Sequence, residues 1–442
     1  MTTDLCTRAA ARRTRLLEGL GSQSAAIFPA AHIALRSADS DYAFRQDSDF
    51  HYLTGFPEPD AVCVLIPGAA EPYTLFVRPK DRDAEIWNGR RAGIEGAVKQ
   101  YGADAAFPIA ELPTRLGTML RDVDTLFVAL GRDPSFDRIV LDLVNEHRRT
   151  RPRRGRGIVQ LHDPSTLVHE MRLIKDAWEL DRMRAAASIT AAAHADLMRT
   201  TRPGMRESEL EIRVEHAFRR HGATGPAYGS IVGGGDNATI LHYRDNCDAL
   251  RDGDLVLVDA GCELELYAAD VTRTFPVGAG FTPEQAALYD VVLEAQRAAI
   301  ATVRPGGRFG DAHEAALEVL CAGLVHLGLL AGTPEEVRTT SAYRAYYMHR
   351  TGHWLGLDVH DVGLYEQDGV SRRLEPGMVV TVEPGLYVAA DAEGAPAAFR
   401  GIGIRIEDDV LVTENGNEVL TEAAPKERHA IEALRAAMGA AS

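Results

Sequence analysis

The chain has 442 residues, of which 45% are hydrophobic and 25% charged, a balance typical of globular proteins with room for two or three domains. The formal net charge of −16 argues against nucleic acid or an anionic membrane surface as a partner. No segment approaches the ~18 apolar residues of a membrane span. The five cysteines are widely spaced and form no CxxC pattern, which indicates reduced thiols in a cytoplasmic protein.

The N-terminal half alternates strand-like and helix-like segments. AVCVLIPG, YTLFVRP and TLFVALG are apolar runs bounded by Gly or Pro and predict strands, whereas 109–121 and 137–149 predict helices. This alternation predicts an α/β domain over residues 1–172 with a core of its own. An arginine-rich stretch at 148–157, which also contains Pro152, is predicted to be a loop or linker before the second domain.

The C-terminal half groups its strands and helices separately. Strand-like segments at 228–275 are followed by helix-like segments and then by further strands at 351–414. This order predicts an α+β domain over residues 173–442, built on a curved antiparallel sheet. The predicted helices of this domain span residues 173–199, 207–221, 283–303 and 311–329.

Five potential metal ligands stand at the ends of, or inside, short apolar segments of this half. An ionised carboxylate beside a run of Val, Leu and Ile costs several kcal/mol unless a cation compensates it. Four carboxylates carry the charge that two divalent ions neutralise, and such a pair of ions generates a hydroxide nucleophile at neutral pH. The oxygen-rich set favours manganese, magnesium or cobalt over structural zinc. The predicted ligands are Asp259, Asp270, His353, Glu383 and Glu407.

The spacing of these residues predicts how they converge. Asp259 and Asp270 are expected on adjacent strands near one end of a hairpin, although a strand-end Asp that only hydrogen-bonds a turn is the alternative. Thr272 and Thr274 share the parity of Asp270 and could donate hydroxyl groups to the ligands.

Strand alternation in GIGIRIEDD places its isoleucines on one face and Arg405 and Glu407 on the other. A guanidinium beside the proposed ligand could hold a carboxylate, and a cross-strand salt bridge on an exposed face is the alternative. Gly403 on the same face predicts close approach by another chain segment or by a ligand.

The segment MHRTGHWLGLDVHD contains His349, His353 and His360. The first two are four residues apart, as on a metal-binding helix, but Gly352 and Gly356 make a helix improbable and no HExxH motif is present. The segment therefore predicts a strand or loop with one metal ligand, His353.

Taken together, the motifs resemble aminopeptidase P of the creatinase/methionine aminopeptidase "pita-bread" superfamily. In the N-terminal half they are DSDFHYLTGFPEPDAVCVLIPG and EIWNGRR; in the C-terminal half they are LHY, VLVDAG, DVTRTFP, GHWLGLDVHDVG, LEPGMVVTVEPGLY and GIGIRIEDD. The resemblance implies a homo-oligomeric enzyme, a dimer or tetramer assembled with help from its N-terminal domain. The implied reaction removes the first residue of a peptide whose second residue is proline, by attack of a metal-bridging hydroxide.

The same resemblance implies roles for individual residues. The cofactor is expected to be two manganese ions, with cobalt, magnesium or zinc as substitutes, and Asp270 and Glu407 bridge them. Histidines flank the substrate, and His360 stabilises the tetrahedral intermediate. Glu383 is the candidate proton shuttle. The remaining implied site residues are His242, His349, Tyr387 and Arg405, together with Trp87, which is expected to reach a neighbouring subunit's site.

Two departures and two rival functions accompany this prediction. Arg350 follows His349 where the family often has glycine, and the family's arginine before LEPGM has no assigned equivalent between Arg372 and Arg373. Prolidase, an Xaa-Pro dipeptidase, shares the fold and ligands, so the ligand set alone does not separate the two enzymes. A metal-free binding module of the same fold is the rival from another class, and the presence of all five ligands disfavours it.

Overall fold

The computed structural model describes residues 3–436. The chain divides into two compact units, Met1–Met171 and Arg172–Ser442. The predicted domains, 1–172 and 173–442, include the first two and last six residues, which lie outside the described part of the chain. No helix in the described part is long and apolar enough to cross a membrane.

The first unit is built on a six-stranded mixed sheet with the order β6-β5-β4-β1-β7-β8. Strand β1, in the interior of this sheet, pairs antiparallel with β4 and parallel with β7. The three apolar runs predicted as strands form β4, β5 and β7. The strands are β1 Ser24–Pro29, β2 Leu35–Ser37, β3 Ser40–Asp41, β4 Val62–Leu65, β5 Tyr73–Val77, β6 Ala105–Pro108, β7 Thr125–Val128 and β8 Gln160–His162. The helices are α1 Thr3–Gly19, α2 Ser48–Thr54, α3 Arg82–Asn88, α4 Gly93–Tyr101, α5 Leu112–Met119, α6 Pro134–Arg154 and α7 Ser165–Leu173, the last of which contains the division between the units.

The prediction of a linker at the arginine-rich stretch is wrong. Most of the stretch forms the last two turns of α6, which contains Pro152 and ends at Gly155 in the left-handed conformation. Cations near a helix C-terminus interact favourably with the unpaired carbonyl groups there, so a basic run is compatible with a helix end. A run of low apolar content is typical of a loop, but here it forms the exposed last turns of a helix.

The second unit consists of antiparallel strands and long helices, so the predicted fold class, an α/β domain followed by an α+β domain of the pita-bread type, is confirmed. The helices are α8 Ala177–Thr200, α9 Glu207–Arg220, α10 Pro283–Thr302, α11 Phe309–His326, α12 Pro334–Thr339 and α13 Arg428–Ala436. The strands are β9 Gly225–Pro226, β10 Ile231–Gly234, β11 Leu255–Asp259, β12 Cys262–Leu264, β13 Tyr267–Ala268, β14 Thr272–Pro276, β15 Glu366–Gln367, β16 Val370–Ser371, β17 Val379–Val382, β18 Gly385–Val388, β19 Ile402–Arg405, β20 Asp408–Thr413 and β21 Gly416–Val419.

The helix predicted from residue 173 begins later than expected. Leu173 belongs to α7, and α8 starts at Ala177 after Asp176, whose carboxylate accepts from the amides of Trp178 and Glu179. The side chain of Glu179 accepts from the amide of Asp176 in return, which completes a capping box. This signal in DAWE overrides the apolar periodicity that had suggested one continuous helix.

The antiparallel strands of this unit bring distant segments together. β11 pairs with β10 and β14, β17 pairs with β20, and β18 pairs with β19. Val256, Val258, Phe275, Ile404 and Ile406 are among the side chains of these strands that pack into one large apolar core with α8, α10 and α11. The opposite face of the same strands is left for polar side chains, and it is this face that carries the predicted ligands.

Candidate metal centre

Asp259 and Asp270 lie beside each other at one end of the β11–β14 hairpin. Asp259 ends β11 opposite Thr272, the first residue of β14, and Asp270 lies two residues before Thr272. Both carboxylates are therefore at one end of the paired strands, as predicted, although Asp270 precedes its strand instead of beginning it. The hydroxyl of Tyr228 joins the two carboxylates, because it lies 2.6 Å from Oδ1 of Asp259 and 2.5 Å from Oδ1 of Asp270. Burial and the two negative charges raise the pKa of Tyr228 well above its usual value, which keeps the hydroxyl protonated as a donor.

His353 enters the same cluster from a loop, as its flanking glycines predicted. Its Nδ1 lies 2.9 Å from the main-chain oxygen of Trp354, so Nδ1–H donates there whether the ring is protonated or neutral, and Nε2 is the nitrogen that loses its proton when a metal ion binds. Nε2 lies 3.4 Å from Oδ2 of Asp270 and 3.6 Å from Oε1 of Glu383. A fixed tautomer with a free Nε2 is the arrangement that metal-binding histidines usually have.

Glu383 and Glu407 complete the cluster from positions next to strands, Glu383 directly after β17 and Glu407 between β19 and β20. The amide of Glu383 donates to the carbonyl of Thr351, which places this carboxylate beside the His353 segment. Thr272, predicted to offer its hydroxyl, donates from Oγ1 to Oε2 of Glu407 at 2.7 Å. Oxygen or nitrogen atoms from Asp270, His353 and Glu407 all lie within 4.8 Å of one another, which is close enough for one shared ion. All five predicted ligands therefore converge.

The protonation behaviour of the cluster reflects crowded negative charge. Burial, together with repulsion from Asp270 and Asp259, raises the pKa of Glu383 to about 7. Burial and the same neighbours raise the pKa of Glu407 well above its usual value, and burial raises that of Asp270. Burial disfavours the imidazolium of His353, but the Asp270 and Glu383 carboxylates raise its pKa to about 9. The cluster lacks sufficient positive charge of its own, and its donors are those that divalent cations prefer, so it fits the implied metal ions.

Arg405 is the cation that the strand alternation predicted on this face. Its Nη2 donates to Oδ2 of Asp259 at 2.6 Å, its Nε to Oγ1 of Thr272 at 3.1 Å, and its Nη1 to the hydroxyl of Tyr387 at 3.1 Å. The guanidinium is buried, so the exposed salt bridge that was the alternative does not occur. Arg405 holds a predicted metal ligand itself, rather than a carboxylate behind one.

The hydroxyl of Tyr387 continues this chain of hydrogen bonds to His349. It lies 2.8 Å from Nε2 of His349, whose Nδ1 lies 2.7 Å from the main-chain oxygen of Arg350. Burial, followed by the charge of Arg405, lowers the pKa of His349 to about 4, so the imidazole is neutral. Nδ1–H then donates to the carbonyl, and Nε2 accepts from Tyr387. His349 is therefore linked to Asp259 through Tyr387 and Arg405.

The cluster opens into a cavity of about 920 Å³. His242, His349 and His360 line it together with the five predicted ligands and Arg405. The His360 ring centroid lies 4.3 Å from that of His353 in an edge-on arrangement, and burial and the charge of His353 lower the pKa of His360. Cationic Arg244 and Arg350 also line the wall. The volume lies near the upper end of the roughly 300–1,000 Å³ of ligand-binding pockets.

Trp87 lies in the other unit. It is on α3 of the first unit, and its side chain is 86% exposed. Large exposed aromatic side chains are often contact residues, but its expected part in a neighbouring subunit's site stays a prediction.

Several polar residues around the centre were not found from the sequence. Tyr228 gave no recognisable signal, because a tyrosine between strands is common. Asp409, which accepts from the amide of Asp270 with both carboxylate oxygens, stood unassigned in GIGIRIEDD. Arg273 and Asp408, 2.6 Å apart and fully buried, had a readable signal, because each shares strand parity with core residues and a buried charge requires a partner.

Each of the two units matches a different family model. Residues 181–414 match the family model described as metallopeptidase family M24, and residues 9–127 match the aminopeptidase P N-terminal domain. The Xaa-Pro aminopeptidase of Escherichia coli K12 is 47% identical over 428 residues, which cover 96% of this chain and 97% of that protein. The structure of Pseudomonas aeruginosa aminopeptidase PepP is 50% identical with a TM-score of 0.96 and covers 98% of this chain and 99% of that chain. A zinc-substituted E. coli aminopeptidase P in complex with product is 46% identical with a TM-score of 0.94 and covers 98% of each chain.

Proposed function

This chain belongs to metallopeptidase family M24, as its motifs had predicted, and we propose that it removes the N-terminal residue from peptides with proline in second position. The observation that carries the proposal is the convergence of five predicted ligands and three histidines on one cavity of the second unit. The relatives named Xaa-Pro aminopeptidase match nearly end to end, which favours this activity over that of prolidase. The retained ligand set disfavours a metal-free binding module.

We assign the ligands to two divalent ions, most simply manganese. Asp259, Asp270, His353, Glu383 and Glu407 would hold these ions, since all five side chains line one cavity. Bound ions of this kind activate water as a nucleophile and stabilise negative charge on a peptide oxygen. A 46% identical relative, E. coli aminopeptidase P, has been solved in a zinc-substituted form, which is the reason to test zinc beside manganese and cobalt.

The chain's own residues would carry protons and charge during the reaction. Glu383, which lines the cavity and lies 3.6 Å from Nε2 of His353, would accept a proton at a carboxylate oxygen and deliver it to the leaving proline nitrogen. His360 lines the cavity beside His353 and would donate an N–H to the developing oxyanion. His242 lines the cavity as well and would contact the substrate, as would His349. Arg405 would hold Asp259 in place and balance part of its charge.

The decisive experiment compares three peptides with purified protein loaded with manganese, cobalt or zinc. We expect release of the first residue from an Xaa-Pro-Xaa tripeptide, and no release from a matched tripeptide with alanine in second position. An Xaa-Pro dipeptide separates the enzymes, because activity confined to it would identify a prolidase. Absence of peptidase activity with every metal would instead support the binding module, and metal analysis of the same samples would verify loading.

Three further features belong to this proposal. We infer a homo-oligomer in which the first unit supports assembly and Trp87 helps to cover a neighbouring site, because the first unit matches the aminopeptidase P N-terminal domain. Light scattering of the wild type and of Trp87→Ala, combined with the peptide assay, tests both points. We place the enzyme in the cytoplasm, which its five free cysteines support. Fractionation of the producing cells tests that location.

A further inference from the structure

The loop that carries His360 has no regular secondary structure of its own. Residues 355–363 form no helix or strand; His360 lies within this loop, and His353 lies two residues before it. A few main-chain hydrogen bonds close it: the amide of Asp361 donates to the carbonyl of Trp354 at 2.8 Å, and that of Gly356 to Asp358 at 3.1 Å. The position of His360 therefore depends on whatever fixes this turn.

The His360 side chain contributes little to its own placement. It is exposed in the cavity, and within residues 3–436 its ring makes no hydrogen bond, apart from its edge-on contact with His353. A histidine that must donate to a reacting oxygen needs its ring held to within a fraction of an ångström. Since the ring is not tied directly, the main chain at residues 360 and 361 must supply the precision.

A group of four charged side chains ties this turn to the first residues of the second unit. Nη2 of Arg172 lies 2.6 Å from Oδ1 of Asp361 and 2.8 Å from Oδ2 of Asp358, and Nζ of Lys175 lies 3.1 Å from Oδ2 of Asp361. The group, here called the Asp361 quartet, has two positive and two negative charges and is formally neutral. The Lys175 and Asp361 side chains are each only 1% exposed.

Three members of the quartet, Arg172, Lys175 and Asp361, are buried, so their mutual positions are closely restricted. Desolvation opposes the charged form of Asp361, but Lys175 and Arg172 outweigh it and lower the pKa of the carboxyl group, so Asp361 is ionised between two cations. A Cβ atom at Gly356 would lie 2.1 Å from Oδ2 of Asp361 and 2.8 Å from Cε of Lys175, so the turn is packed directly on the ion pair. Removal of one charge would leave its partner buried and uncompensated. The loop would then have to move to bring that charge into contact with water or another ion.

We propose that Asp361, held by Arg172 and Lys175, is a positioning residue that sets the place of the His360 ring for the reaction. Asp361 is not among the side chains that line the cavity, so it would act through the main chain of its neighbour. The inference rests on the proposed peptidase function and on the part of His360 in it. It adds a requirement that the ligand set does not contain, namely a buried ion group behind the oxyanion donor.

A double-mutant cycle tests this. Asp361→Asn keeps the shape but removes the charge, and we expect kcat to fall at least about tenfold with KM within about threefold, because transition-state contacts are lost rather than ground-state binding. His360→Ala removes the group that Asp361 positions. In that background Asp361→Asn should lower kcat by less than about twofold, since the two residues act as one unit. An equal loss in both backgrounds, or no loss in either, would overturn the inference.

Asp408→Asn is the matched control. Asp408 is also fully buried and paired with two cations, Arg273 at 2.6 Å and Lys426 at 2.7 Å, but it does not lie on the His360 loop. Whatever Asp408→Asn costs in kcat should be the same with and without His360. Hydrogen exchange of the metal-free protein gives a readout apart from activity: exchange at residues 354–363 should accelerate in Asp361→Asn and not in Asp408→Asn. Unchanged protection in Asp361→Asn would contradict the proposal.

If Asp361→Asn does not fold, Lys175→Met keeps the inference testable. It leaves Arg172 on Asp361 and removes the second cation, so we expect a smaller fall in kcat that again disappears in the His360→Ala background. A fall that persists there would overturn the proposal. The failure of the proposed function has a different signature, because the wild type itself would then lack activity on Xaa-Pro peptides with every metal tested.

Discussion

Replacing Tyr228 with phenylalanine is expected to weaken metal binding about tenfold to a hundredfold without unfolding the protein. The hydroxyl of Tyr228 lies between Oδ1 of Asp259 and Oδ1 of Asp270 at 2.6 and 2.5 Å. It holds the two carboxylates at a fixed separation on neighbouring strand ends. Without it their mutual repulsion would move them apart until an ion arrived.

The magnitude follows from the hydrogen bonds that are lost. One O–H supplies a single proton, shared between two ionised acceptors, so we count one charge-assisted hydrogen bond worth about 1.5–3 kcal/mol. At about 1.4 kcal/mol per factor of ten, this corresponds to a weakening of metal binding by about tenfold to just over a hundredfold. Because the ligands themselves remain, saturating metal should restore most of kcat.

Competition with a fluorescent chelator measures the metal dissociation constant directly, and the peptide assay is repeated over a range of metal concentrations. Tyr267→Phe is the matched control, since the buried Tyr267 hydroxyl donates to Oε1 of Glu179 at 2.8 Å, away from the predicted ligands. A dissociation constant for Tyr228→Phe within about twofold of that of Tyr267→Phe would refute the reasoning, because the hydroxyl would then contribute less than a typical hydrogen bond.

Three other changes have defined outcomes. Arg405→Lys should lower kcat by about tenfold or more, measured with saturating metal, because an ammonium group cannot reproduce the planar set of hydrogen bonds to Asp259 and its neighbours. In metal-free protein the raised pKa of Glu383, about 7, means that the folded state holds a proton more tightly than the unfolded state. The contribution of Glu383 to the free energy of unfolding is therefore fully present below about pH 4.5 and is lost as the pH rises to about 7. Urea unfolding should show this as a decrease of up to about 3 kcal/mol in the free energy of unfolding. Gly403→Ala should destabilise the protein by several kcal/mol in the same assay, since its Cβ atom would lie 2.1 Å from a main-chain oxygen, whereas Gly19→Ala, with open space around it, should be neutral or stabilising.

Each of these outcomes can fail in a recognisable way. Wild-type kinetics for Arg405→Lys would mean that charge alone suffices at that position. For the pH dependence, Glu383→Gln removes the titrating group, so a wild-type profile identical to that of Glu383→Gln would contradict the assignment. Adding metal should oppose the loss of stability, because binding requires ionised ligands. Equal stability of Gly403→Ala and Gly19→Ala would contradict the close contact.

Strand alternation explains why much of the centre could be predicted. In β19 and the residues after it, core isoleucines alternate with Gly403, Arg405 and Glu407, and the structure places these on opposite faces as expected. The predicted close approach at Gly403 is confirmed, and the segment that approaches is the main chain at Ala238. A two-residue period is a local property, so it can be read without knowledge of the partner strands.

Contacts that depend on long connections could not be read in this way. Tyr228 reaches Asp259 and Asp270 from a segment between short strands, and the Asp361 quartet joins residues 172–175 to a turn almost two hundred positions later. No periodicity marks such pairs, because they are created by the way irregular segments pack. The prediction at the basic end of α6 was wrong for a related reason, because its charge pattern is as typical of a solvated loop as of a helix terminus.

Two neighbouring carboxylates show why the cluster is better explained by external cations than by structural ion pairs. Glu407 and Asp408 are adjacent and both buried, 2% and 0% exposed, and they point to opposite faces of the same strands. Burial disfavours the charge on both, but Arg273 and Lys426 outweigh it at Asp408 and lower its pKa. At Glu407 burial is reinforced by Asp270, Glu383 and Asp259, and the opposing charge of Arg405 does not outweigh them, so its pKa is raised. The fold supplies cations to the carboxylate whose role is packing and withholds them from the one that faces the cavity. A buried acid that lacks its own counter-charge, on the face where substrate must enter, is the expected state of a ligand whose partner arrives from solution.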